Sequence, residues 1–442
     1  MKYVLYEILA NISFAALTPY FILKMLTVRK YRDGIPERFG FIQDEKLRRL
    51  EPGPVIWIHA VSVGETKAVI PLLRLIKESH PEAKILFSTI TKTGNDVAKK
   101  ECAGLMDSLI YFPLDLSWAV GRVIRQTRPG LFIVVEKEVW PNTYRGLHAE
   151  AVPIIVVNGT ISDKSFRRFL RLGFFFRPIF GMISSYCART EEDMRRAIAS
   201  GVEKDRALCP GNVKFDLNPP PFNGNLPHAL KTTLGISEGD VVFAAGSTHR
   251  GEEEIIIDAY KRLAREFGNL KLVLAPRHPE RFNEAENLFK KAGIPYARRT
   301  SGDPPANAVL LDTIGELMAV YSISDIAFVG GSIVQGIGGH NLLEPAFFSK
   351  PVIYGPHLTA YLAMAELLES HGAGIRVKDG QGLYTELKKL LNDSALRRKK
   401  GEAAKKVVEA NRGAARKTLK VIEGFLAEDR RRPPLPGPSI AK

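Results

Sequence analysis

From residue 54 onward, short apolar runs rich in β-branched and aromatic residues alternate with longer stretches of helical periodicity. In the first half of the chain, the apolar runs are residues 55–60, 83–89, 108–112, 131–136, 153–159 and 185–189. Because these runs are apolar at consecutive positions, both faces of each predicted strand are buried, which is typical of parallel sheets covered by helices. The pattern therefore predicts an α/β domain built from βαβ units.

A second series of apolar runs follows a break in the pattern around residues 219–225, where Pro, Asn and Gly dominate. Its members are residues 241–247, 270–276, 308–312, 325–331, 351–355 and 373–377. We place a domain boundary at the break. The predicted parts are a first domain (31–216), a linker (217–229), a second domain (230–427) and a disordered basic tail (428–442). Both domains are predicted to be doubly wound, and in such sheets ligands bind beyond the carboxyl ends of the strands.

The N-terminal segment is apolar from residue 8 to residue 23 and is followed by a basic flank at residues 29–32. We interpret residues 1–30 as a membrane anchor that either spans the bilayer or lies on it, with the body of the protein on the cytoplasmic side. A buried N-terminal helix is the alternative. Residues 166–176 interleave arginines with Phe and Leu, which suits a lipid surface. Taken alone, this stretch also fits a core helix with a solvated basic face.

The chain of 442 residues carries 63 Lys and Arg against 48 Asp and Glu, a formal net charge of +15. This excess favours anionic partners: a phosphorylated substrate, an anionic membrane or a nucleic acid. The sequence has no aromatic RNA-binding strand and no recognition helix, so a nucleic-acid partner is not expected. Its three cysteines (102, 187 and 209) lack CxxC spacing, which argues against a disulfide framework and a zinc site. We expect no metal site in the protein.

Candidate chemistry in the first domain follows two of the predicted strands. Glu65 comes after the first strand, in His59-Ala-Val-Ser-Val-Gly-Glu65, where a carboxylate can accept a proton. The same position also suits a helix N-terminus, where the macrodipole stabilises an acid. Ser62 loosely matches a hydrolase nucleophile elbow, although the leading Gly is missing. Glu136 and Glu138 follow the fourth strand and would point to opposite faces, so a shared metal site is not predicted.

In the second domain, four predicted strands run into loops that suit a phosphate or nucleotide. Backbone N–H groups at a helix start and a fixed guanidinium are the features that favour an anion. The loops are Ala245-Gly-Ser-Thr-His-Arg-Gly251, Pro276-Arg-His-Pro279, Asp312-Thr-Ile-Gly-Glu-Leu317 and the glycine-rich stretch from Gly330 to Glu344. The chain lacks GxxxxGK[ST] and has no GxGxxG after its first strand, so P-loop NTPases and Rossmann dehydrogenases are not favoured.

Seven short motifs, taken in order, resemble those of the Kdo transferases of Gram-negative bacteria. They are HAVSVGE, VEKEVWPN, GNVKFD, AGSTH, PRHPER, the GEL of DTIGELMAVY, and GGHNLLEPA. Kdo is 3-deoxy-D-manno-octulosonic acid. The resemblance implies a GT-B fold of two facing Rossmann-like domains. It also implies an enzyme at the cytoplasmic face of the inner membrane that moves Kdo, with inversion, from CMP-Kdo to the lipid A precursor lipid IVA. It implies no cofactor. A sugar-nucleotide epimerase of the same fold is the alternative function.

The resemblance also implies roles for individual residues. Glu65 matches the general base, and Glu136 and Lys214 match the pair that stabilises the transition state. The residues that match the CMP-binding stretches are Pro276, Arg277, Gly315, Glu316, Leu317, Asn341, Leu342, Leu343 and Glu344. The chain departs from the family at Thr160, where an arginine is usual, and at Arg250, where an acidic residue is common. Thr160 bears on acceptor contacts and leaves the donor motifs unchanged.

Overall fold

Seven parallel strands form the sheet of the first half of the chain, in the order β3-β2-β1-β4-β5-β6-β7. The structure is a computed structural model that describes residues 2–27, 32–219, 226–302, 304–359 and 361–429. The strands are β1 (Val55–His59), β2 (Lys84–Thr89), β3 (Ser108–Tyr111), β4 (Leu131–Val135), β5 (Ile154–Gly159), β6 (Ser185–Ala188) and β7 (Ala207–Leu208). This order is the doubly wound order predicted from the apolar runs.

Helices cover both faces of this sheet, which is why its strands are buried on both sides. They are α1 (Lys2–Thr27), α2 (Ile35–Arg38), α3 (Asp44–Arg48), α4 (Val63–Ser79), α5 (Lys92–Glu101), α6 (Ser117–Thr127), α7 (Pro141–Ala149), α8 (Asp163–Arg171), α9 (Gly173–Phe180) and α10 (Glu191–Ser200). Alternate residues of one strand enter opposite cores: Trp57 packs in one and Ile56 and Ile58 in the other. The alternation follows from the period of two in a strand.

The second sheet also has seven parallel strands, in the order β10-β11-β9-β8-β12-β13-β14. They are β8 (Val241–Thr248), β9 (Leu270–Pro276), β10 (Tyr296–Arg298), β11 (Ala308–Leu310), β12 (Ile326–Val329), β13 (Val352–Tyr354) and β14 (Gly374–Arg376). Its helices are α11 (Leu226–Thr233), α12 (Glu252–Leu263), α13 (Phe282–Ala292), α14 (Leu317–Ile323), α15 (Leu343–Ala346), α16 (Leu362–Ser370), α17 (Gly380–Asn392) and α18 (Ser394–Ala410).

The last helix, α19 (Ala414–Asp429), belongs to the first unit. The chain divides into one unit of Met1–Leu217 with Asn411–Lys442 and another of Asn218–Ala410. The Asp216 carboxylate accepts hydrogen bonds from the backbone N–H of Ala415 at 2.7 Å and of Gly413, which caps the start of the helix. This differs from the predicted second domain, which ran to residue 427. Of the predicted tail, residues 430–442 lie outside the described residues, as do residues 220–225 of the predicted linker.

Polar contacts hold helix α1 against the rest of the first unit. The Tyr6 hydroxyl donates to the Asp115 carboxylate at 3.0 Å, and Glu7 accepts from the Ser117 hydroxyl at 2.7 Å and from the Asn142 side-chain amide at 2.7 Å. Within the described part of the chain, no helix is long and apolar enough to cross a membrane. The spanning form of the predicted anchor is therefore not supported by the structure.

Candidate active site

Glu65 lies in the first turn of α4, just beyond the carboxyl end of β1. Ser62 occupies the position before the helix, and the chain turns there, so the Glu65 side chain folds back and accepts a hydrogen bond from the Val61 N–H. The side chain is 4% exposed. Burial raises the pKa of Glu65 to about 7, the charge of Glu136 adds to the rise, and the Val61 N–H opposes it. A carboxylate with this pKa can take a proton at neutral pH.

His59, the last residue of β1, is not a competing base. Its ring is fully buried and stacks on Phe112 with centroids 3.8 Å apart, while Nδ1 lies 3.2 Å from the Ser88 carbonyl. Burial lowers the pKa of His59 to about 3, although the Ser88 carbonyl opposes the shift. The imidazole is therefore neutral at physiological pH, and Glu65 is the titrating group at this strand end.

Glu136 follows β4 and forms a half-buried ion pair with Lys214. The Lys214 ammonium lies 2.8 Å from Glu136 Oε1, and the two side chains are 15% and 12% exposed. The Asn158 amide donates to the same oxygen at 3.3 Å, and its own carbonyl oxygen accepts from the Val213 N–H at 3.1 Å. Asn158 thus joins the carboxylate after β4 to the turn that carries Lys214.

The backbone of Glu136 is held in an unusual conformation, with φ of 65°. Left-handed backbone is costly for a residue with a side chain and persists only where neighbours impose it. Here the Glu136 N–H donates to the Val157 carbonyl at 2.9 Å, and its carbonyl accepts from the Thr160 N–H at 3.3 Å. These bonds to β5 and the residue after it fix the direction of the side chain.

Glu65 and Glu136 differ in protonation state because their surroundings shift their pKa values in opposite directions. Burial raises the pKa of Glu136, but the charge and hydrogen bond of Lys214, and then the charges of Arg189 and Lys137, bring it below its usual range. Glu136 therefore stays ionised while Glu65 titrates near neutrality. A pair of acids whose surroundings push their pKa values apart is the arrangement that assigns one as base and the other as fixed charge.

Glu138 is a third acid on the same loop, with its pKa raised by burial, and by the Glu136 charge against the opposing charge of Lys137. Its backbone carbonyl accepts from the Tyr144 hydroxyl at 2.9 Å, which fixes the loop after β4. Across the described residues, no group of three or more His, Cys, Asp or Glu side chains is arranged to hold a metal ion.

In the second unit, the four predicted ligand loops follow strands that are neighbours in the sheet. The loops leave β11, β9, β8 and β12, which lie side by side in that order. All strands are parallel, so the four loops share the carboxyl edge. Pro276 ends β9 as a buried residue and Arg277 is exposed, with its N–H donating to the Thr248 carbonyl at 3.0 Å. The predicted CMP-binding residues of this unit therefore lie along one edge.

Two histidines from these loops form a neutral pair. His249 and His340 stack with centroids 5.1 Å apart, and their Nε2 atoms are separated by 2.8 Å. Burial and the charges of His278, Arg277 and Arg281 lower the pKa of His249 to about 4. Burial, then His249 and Arg277, lower the pKa of His340 to about 3. One imidazole therefore donates to the other, and neither ring is charged at neutral pH.

The loop that carries Gly315 is fixed by Glu316. Its carboxylate accepts from the Thr313 hydroxyl at 2.5 Å and from the Arg299 guanidinium at 3.1 Å. Gly315 has φ of 100°, a conformation that side chains rarely adopt. Leu317 then begins α14.

The stretch from Asn341 to Glu344 forms the turn into α15. The Asn341 side-chain oxygen accepts from the Leu343 N–H at 3.2 Å. Leu342 and Leu343 are buried, and they anchor the turn in the second unit. Asn341 and Glu344 are the half-buried polar members of the stretch.

Glu252 is a structural acid of this edge whose role the sequence did not reveal. It is fully buried, and its carboxylate accepts backbone N–H bonds from Gly331 at 2.7 Å, Ser332 at 2.9 Å, Ile333 at 3.0 Å and His249 at 3.0 Å. These four donors come from the loops after β8 and β12. Glu252 therefore ties together two of the four candidate ligand loops.

Close packing of the loops after β8 and β12 explains why residue 330 is a glycine. A Cβ on Gly330 would lie 2.4 Å from the Ser247 carbonyl oxygen.

The only sequence signal for Glu252 was its position directly after a glycine turn at the end of a strand. An acid at that position is equally typical of an ordinary helix start.

Replacing Glu252 with glutamine should loosen both loops. The amide keeps one acceptor but sets an NH₂ group against backbone donors, and we expect a loss of about 3 kcal/mol of unfolding free energy, measured by urea denaturation. The exposed Asp258→Asn change in the same helix is the control and should leave the stability unchanged. A Glu252→Gln protein as stable as the control would rule out this role.

Comparisons with known proteins show which family this chain resembles. A family model described as 3-Deoxy-D-manno-octulosonic-acid transferase (kdotransferase) matches residues 33–217. A 3-deoxy-D-manno-octulosonic acid transferase of Haemophilus influenzae is 35% identical over 404 residues, which cover 90% of this chain and 92% of that relative. The chain belongs to the 3-deoxy-D-manno-octulosonic acid transferase family. A relative of the same name from Bordetella pertussis is 31% identical, over an alignment that covers 88% of this chain and 91% of that relative.

Solved structures give the fold of this Kdo transferase family member. A glycosyltransferase from Rickettsia africae aligns with a TM-score of 0.58 at 13% identity, covering 85% of this chain and 99% of that one. The UDP-GlcNAc 2-epimerase of Neisseria meningitidis aligns with a TM-score of 0.58 at 12% identity, covering 85% and 100%. These similarities confirm two parallel-sheet α/β domains of the GT-B type.

Thr160 and Arg250, where the resemblance implies other residues, both make local contacts. The Thr160 hydroxyl donates to the Asp193 carboxylate at 3.0 Å. The Arg250 side chain is 80% exposed and lies 3.4 Å from Glu284. Arg250 therefore stays on the surface of the second unit, whereas Thr160 lies beside the residues that hold Glu136.

Proposed function

We propose that this protein transfers Kdo from CMP-Kdo to the lipid A precursor lipid IVA, with Glu65 as general base. The observation that carries the proposal is the contrast between Glu65, whose pKa burial raises to about 7, and Glu136, whose pKa the Lys214 ion pair holds below its usual range. In this mechanism Glu65 takes the proton of an acceptor hydroxyl. The hydroxyl oxygen forms a bond to the anomeric carbon of Kdo as the bond from that carbon to the CMP phosphate oxygen breaks.

Glu136 and Lys214 complete the mechanism as fixed charges. The anomeric carbon becomes positively charged as CMP departs, and a buried carboxylate stabilises that charge without reorganising. Lys214 keeps Glu136 ionised and in place through the 2.8 Å contact. Since a nucleotide phosphate is already a good leaving group, the mechanism needs no separate general acid.

The second unit would bind the CMP-Kdo donor through its four loops. Arg277 is exposed at the carboxyl edge and suits the phosphate, since a guanidinium presents paired N–H donors to phosphate oxygens. The Glu344 carboxylate suits the ribose hydroxyls. Asn341, Glu316 and the backbone from Gly315 to Leu317 lie along the same edge and would hold the remainder of the nucleotide.

Incubation with CMP-Kdo generated in situ and lipid IVA tests the proposal directly. Mass spectrometry should detect acceptor that has gained Kdo, and CMP should be released in equal amount. A parallel reaction with UDP-GlcNAc tests the epimerase alternative. Epimerised UDP-sugar without any Kdo product would overturn the proposal.

We further propose that α1 and the α8–α9 segment dock onto the cytoplasmic face of the anionic inner membrane. Apolar side chains are exposed on both: Ile8, Ile12, Leu17, Tyr20 and Leu23 on α1, and Leu170, Leu172 and Phe174 on the other segment. Tyr3 and Tyr6 of α1 pack against Phe175 at 5.7 and 5.5 Å. The two segments are therefore neighbours, and the exposed arginines 167, 168 and 171 alternate with apolar residues along the α8–α9 sequence.

Removing apolar side chains from this surface should release the protein from lipid. We expect the Leu170→Ser and Phe174→Ser double variant to float poorly with vesicles that contain anionic phospholipid, whereas the unchanged protein floats with them. The matched control replaces two exposed apolar residues of the second unit, Ile314 and Leu362, with serine. Equal flotation of the two double variants would contradict membrane docking at α8–α9.

A further inference from the structure

Histidines from three loops meet at the carboxyl edge of the second sheet. His249 follows β8, His278 follows β9, and His340 lies on the glycine-rich stretch after β12. The His249 ring contacts both of the others: it stacks on His340 with centroids 5.1 Å apart and meets His278 edge-on at 5.4 Å. His278 and His340 are also direct chain neighbours of Arg277 and Asn341, which are proposed to bind CMP. The cluster therefore lies beside the proposed nucleotide site.

A single hydrogen bond joins His249 to His340. Their Nε2 atoms lie 2.8 Å apart, so one ring donates from Nε2 and the other accepts. A neutral imidazole has one N–H group and one lone pair. The donating ring therefore carries its lone pair on Nδ1, whereas the accepting ring carries its N–H group on Nδ1. The neutral pair thus offers one donor and one acceptor to a molecule at this edge.

Both Nδ1 atoms of the pair are open to a ligand. Neither makes a hydrogen bond with another described residue, and neither belongs to the buried side-chain atoms that lack a partner. An ionised phosphate has only acceptor oxygens, so it is attracted to the Nδ1–H group and repelled by the Nδ1 lone pair. One added proton turns that lone pair into a second donor and leaves the bond between the Nε2 atoms in place.

The backbone holds the two rings in this arrangement. The His249 N–H donates to the Glu252 carboxylate at 3.0 Å, and the Gly331 N–H donates to the same oxygen at 2.7 Å. The His340 ring packs against Gly331, where a Cβ would lie 3.1 Å from Nε2. One buried acid thus joins the loop that carries His249 to the surface on which His340 lies. The pair is therefore formed in the absence of a ligand, which lowers the ordering cost of binding.

Burial and nearby cations keep the pair neutral in the free protein. Burial is the largest effect that lowers the pKa of both histidines, and the charges of Arg277 and His278 on the loop after β9 lower both pKa values further. Arg281 adds to the effect on His249. A phosphate placed beside these groups offsets their positive charge. Binding of a phosphate and protonation of the pair therefore favour one another, and this coupling is reciprocal.

The carboxylates around the cluster are already engaged by other groups. Glu252 accepts backbone N–H bonds, and Glu253 and Glu284 hold the Arg281 guanidinium at 2.9 and 2.7 Å. Among the described residues, no carboxylate makes a hydrogen bond or ion pair with either imidazole of the pair. The anion that stabilises a protonated pair therefore has to come from a ligand.

We propose that the His249–His340 pair is part of the site for the donor phosphate, and that it takes one proton from solvent when the phosphate binds and returns it when CMP leaves. The inference rests on the function proposed above, and it adds a proton-linked step to donor binding. In the protonated pair, neither ring presents a lone pair to the phosphate. The pair then supplies one positive charge beside Arg277.

Calorimetry of CMP binding in two buffers of different ionisation enthalpy counts the protons taken up. Near neutral pH the phosphate of CMP is mostly ionised, since the second pKa of such a group is about 6. We expect an uptake of about 0.5 proton or more per CMP at about pH 7, and binding that weakens about 3-fold or more per pH unit above it. Cytidine, which lacks the phosphate, should bind without uptake.

A double variant shows whether the pair is the group that titrates. His249→Gln with His340→Gln removes both rings, so we expect no proton uptake and about 10-fold weaker CMP binding at about pH 7. The matched control replaces two exposed histidines of the same unit, His228 and His371, with glutamine. It should bind CMP with the original affinity and the original proton uptake.

Each result decides the inference. Binding heats of the unchanged protein that do not depend on the buffer, or proton uptake that persists in a folded double variant, would overturn it. If the double variant does not fold, nitrogen-15 NMR of the histidine side chains in the unchanged protein carries the test. CMP should then move one ring of the pair to the shifts of an imidazolium, and unchanged shifts would overturn the proposal.

Failure of the proposed function gives a different result. If CMP does not bind at all, the proposed donor site has failed and the inference fails with it. If CMP binds and Kdo is transferred without proton uptake, the inference alone has failed.

Discussion

Glu65→Gln should lower kcat for Kdo transfer by about 10³-fold, while CMP binding stays at its original affinity. Glutamine has nearly the same shape as glutamate and can still accept the Val61 N–H bond, but it cannot take a proton from the acceptor hydroxyl. The residues proposed to bind the nucleotide lie in the second unit, so the change leaves them intact. Turnover is measured by product mass and CMP binding by calorimetry.

The matched control is Glu78→Gln, an exposed glutamate in the same helix. It should transfer Kdo at the original rate, which shows that loss of one negative charge from α4 is not the cause. Retained turnover in Glu65→Gln would remove Glu65 from the role of base, even if the protein remains a Kdo transferase.

Breaking the Glu136–Lys214 pair should have the second largest effect. Removing Lys214 takes away the ion-pair partner of a carboxylate that is only 12% exposed, and breaking a buried pair in this way destabilises proteins by about 3–5 kcal/mol. Since both side chains are mostly shielded from water, we expect Lys214→Met to lower the melting temperature and to reduce kcat by about 10²-fold.

The double variant Glu136→Gln with Lys214→Met separates stability from catalysis. With both charges gone, the stability should largely recover, because neither charge remains unpaired. Turnover should stay low, because the carboxylate that stabilises the transition state is absent. If both stability and turnover recovered, the Glu136–Lys214 pair would have only a structural role.

Most of the fold could be predicted from the sequence because its strands are buried on both faces. Every apolar run listed from the sequence overlaps a strand, and the boundary near residue 217 coincides with the division into two units. The strands that were missed, β7 and β10, have two and three residues and lie at sheet edges, where continuous apolar sequence is not required. The return of α19 to the first unit was also missed, because its partner Asp216 lies about 200 residues away in the chain.

The site was predicted in part for the same reason. Glu136 directly follows β4 and Glu65 lies in the first turn of the helix after β1, so local sequence was enough to place them at the carboxyl edge. The role of Glu252 depends on contacts between elements far apart in the chain. Glu252 reaches the loop after β12 across 79 to 81 residues. No local pattern contains that information.

The protonation state of Glu65 is the central claim, and the pH dependence of kcat/KM for the acceptor tests it most directly. Because Glu65 must be ionised to act as base and burial raises its pKa to about 7, the rate should increase about 10-fold per pH unit below pH 7 and level off above it. The Glu78→Gln control should give the same curve. A rate that stays constant down to about pH 5, as an ordinary glutamate would allow, would contradict the account.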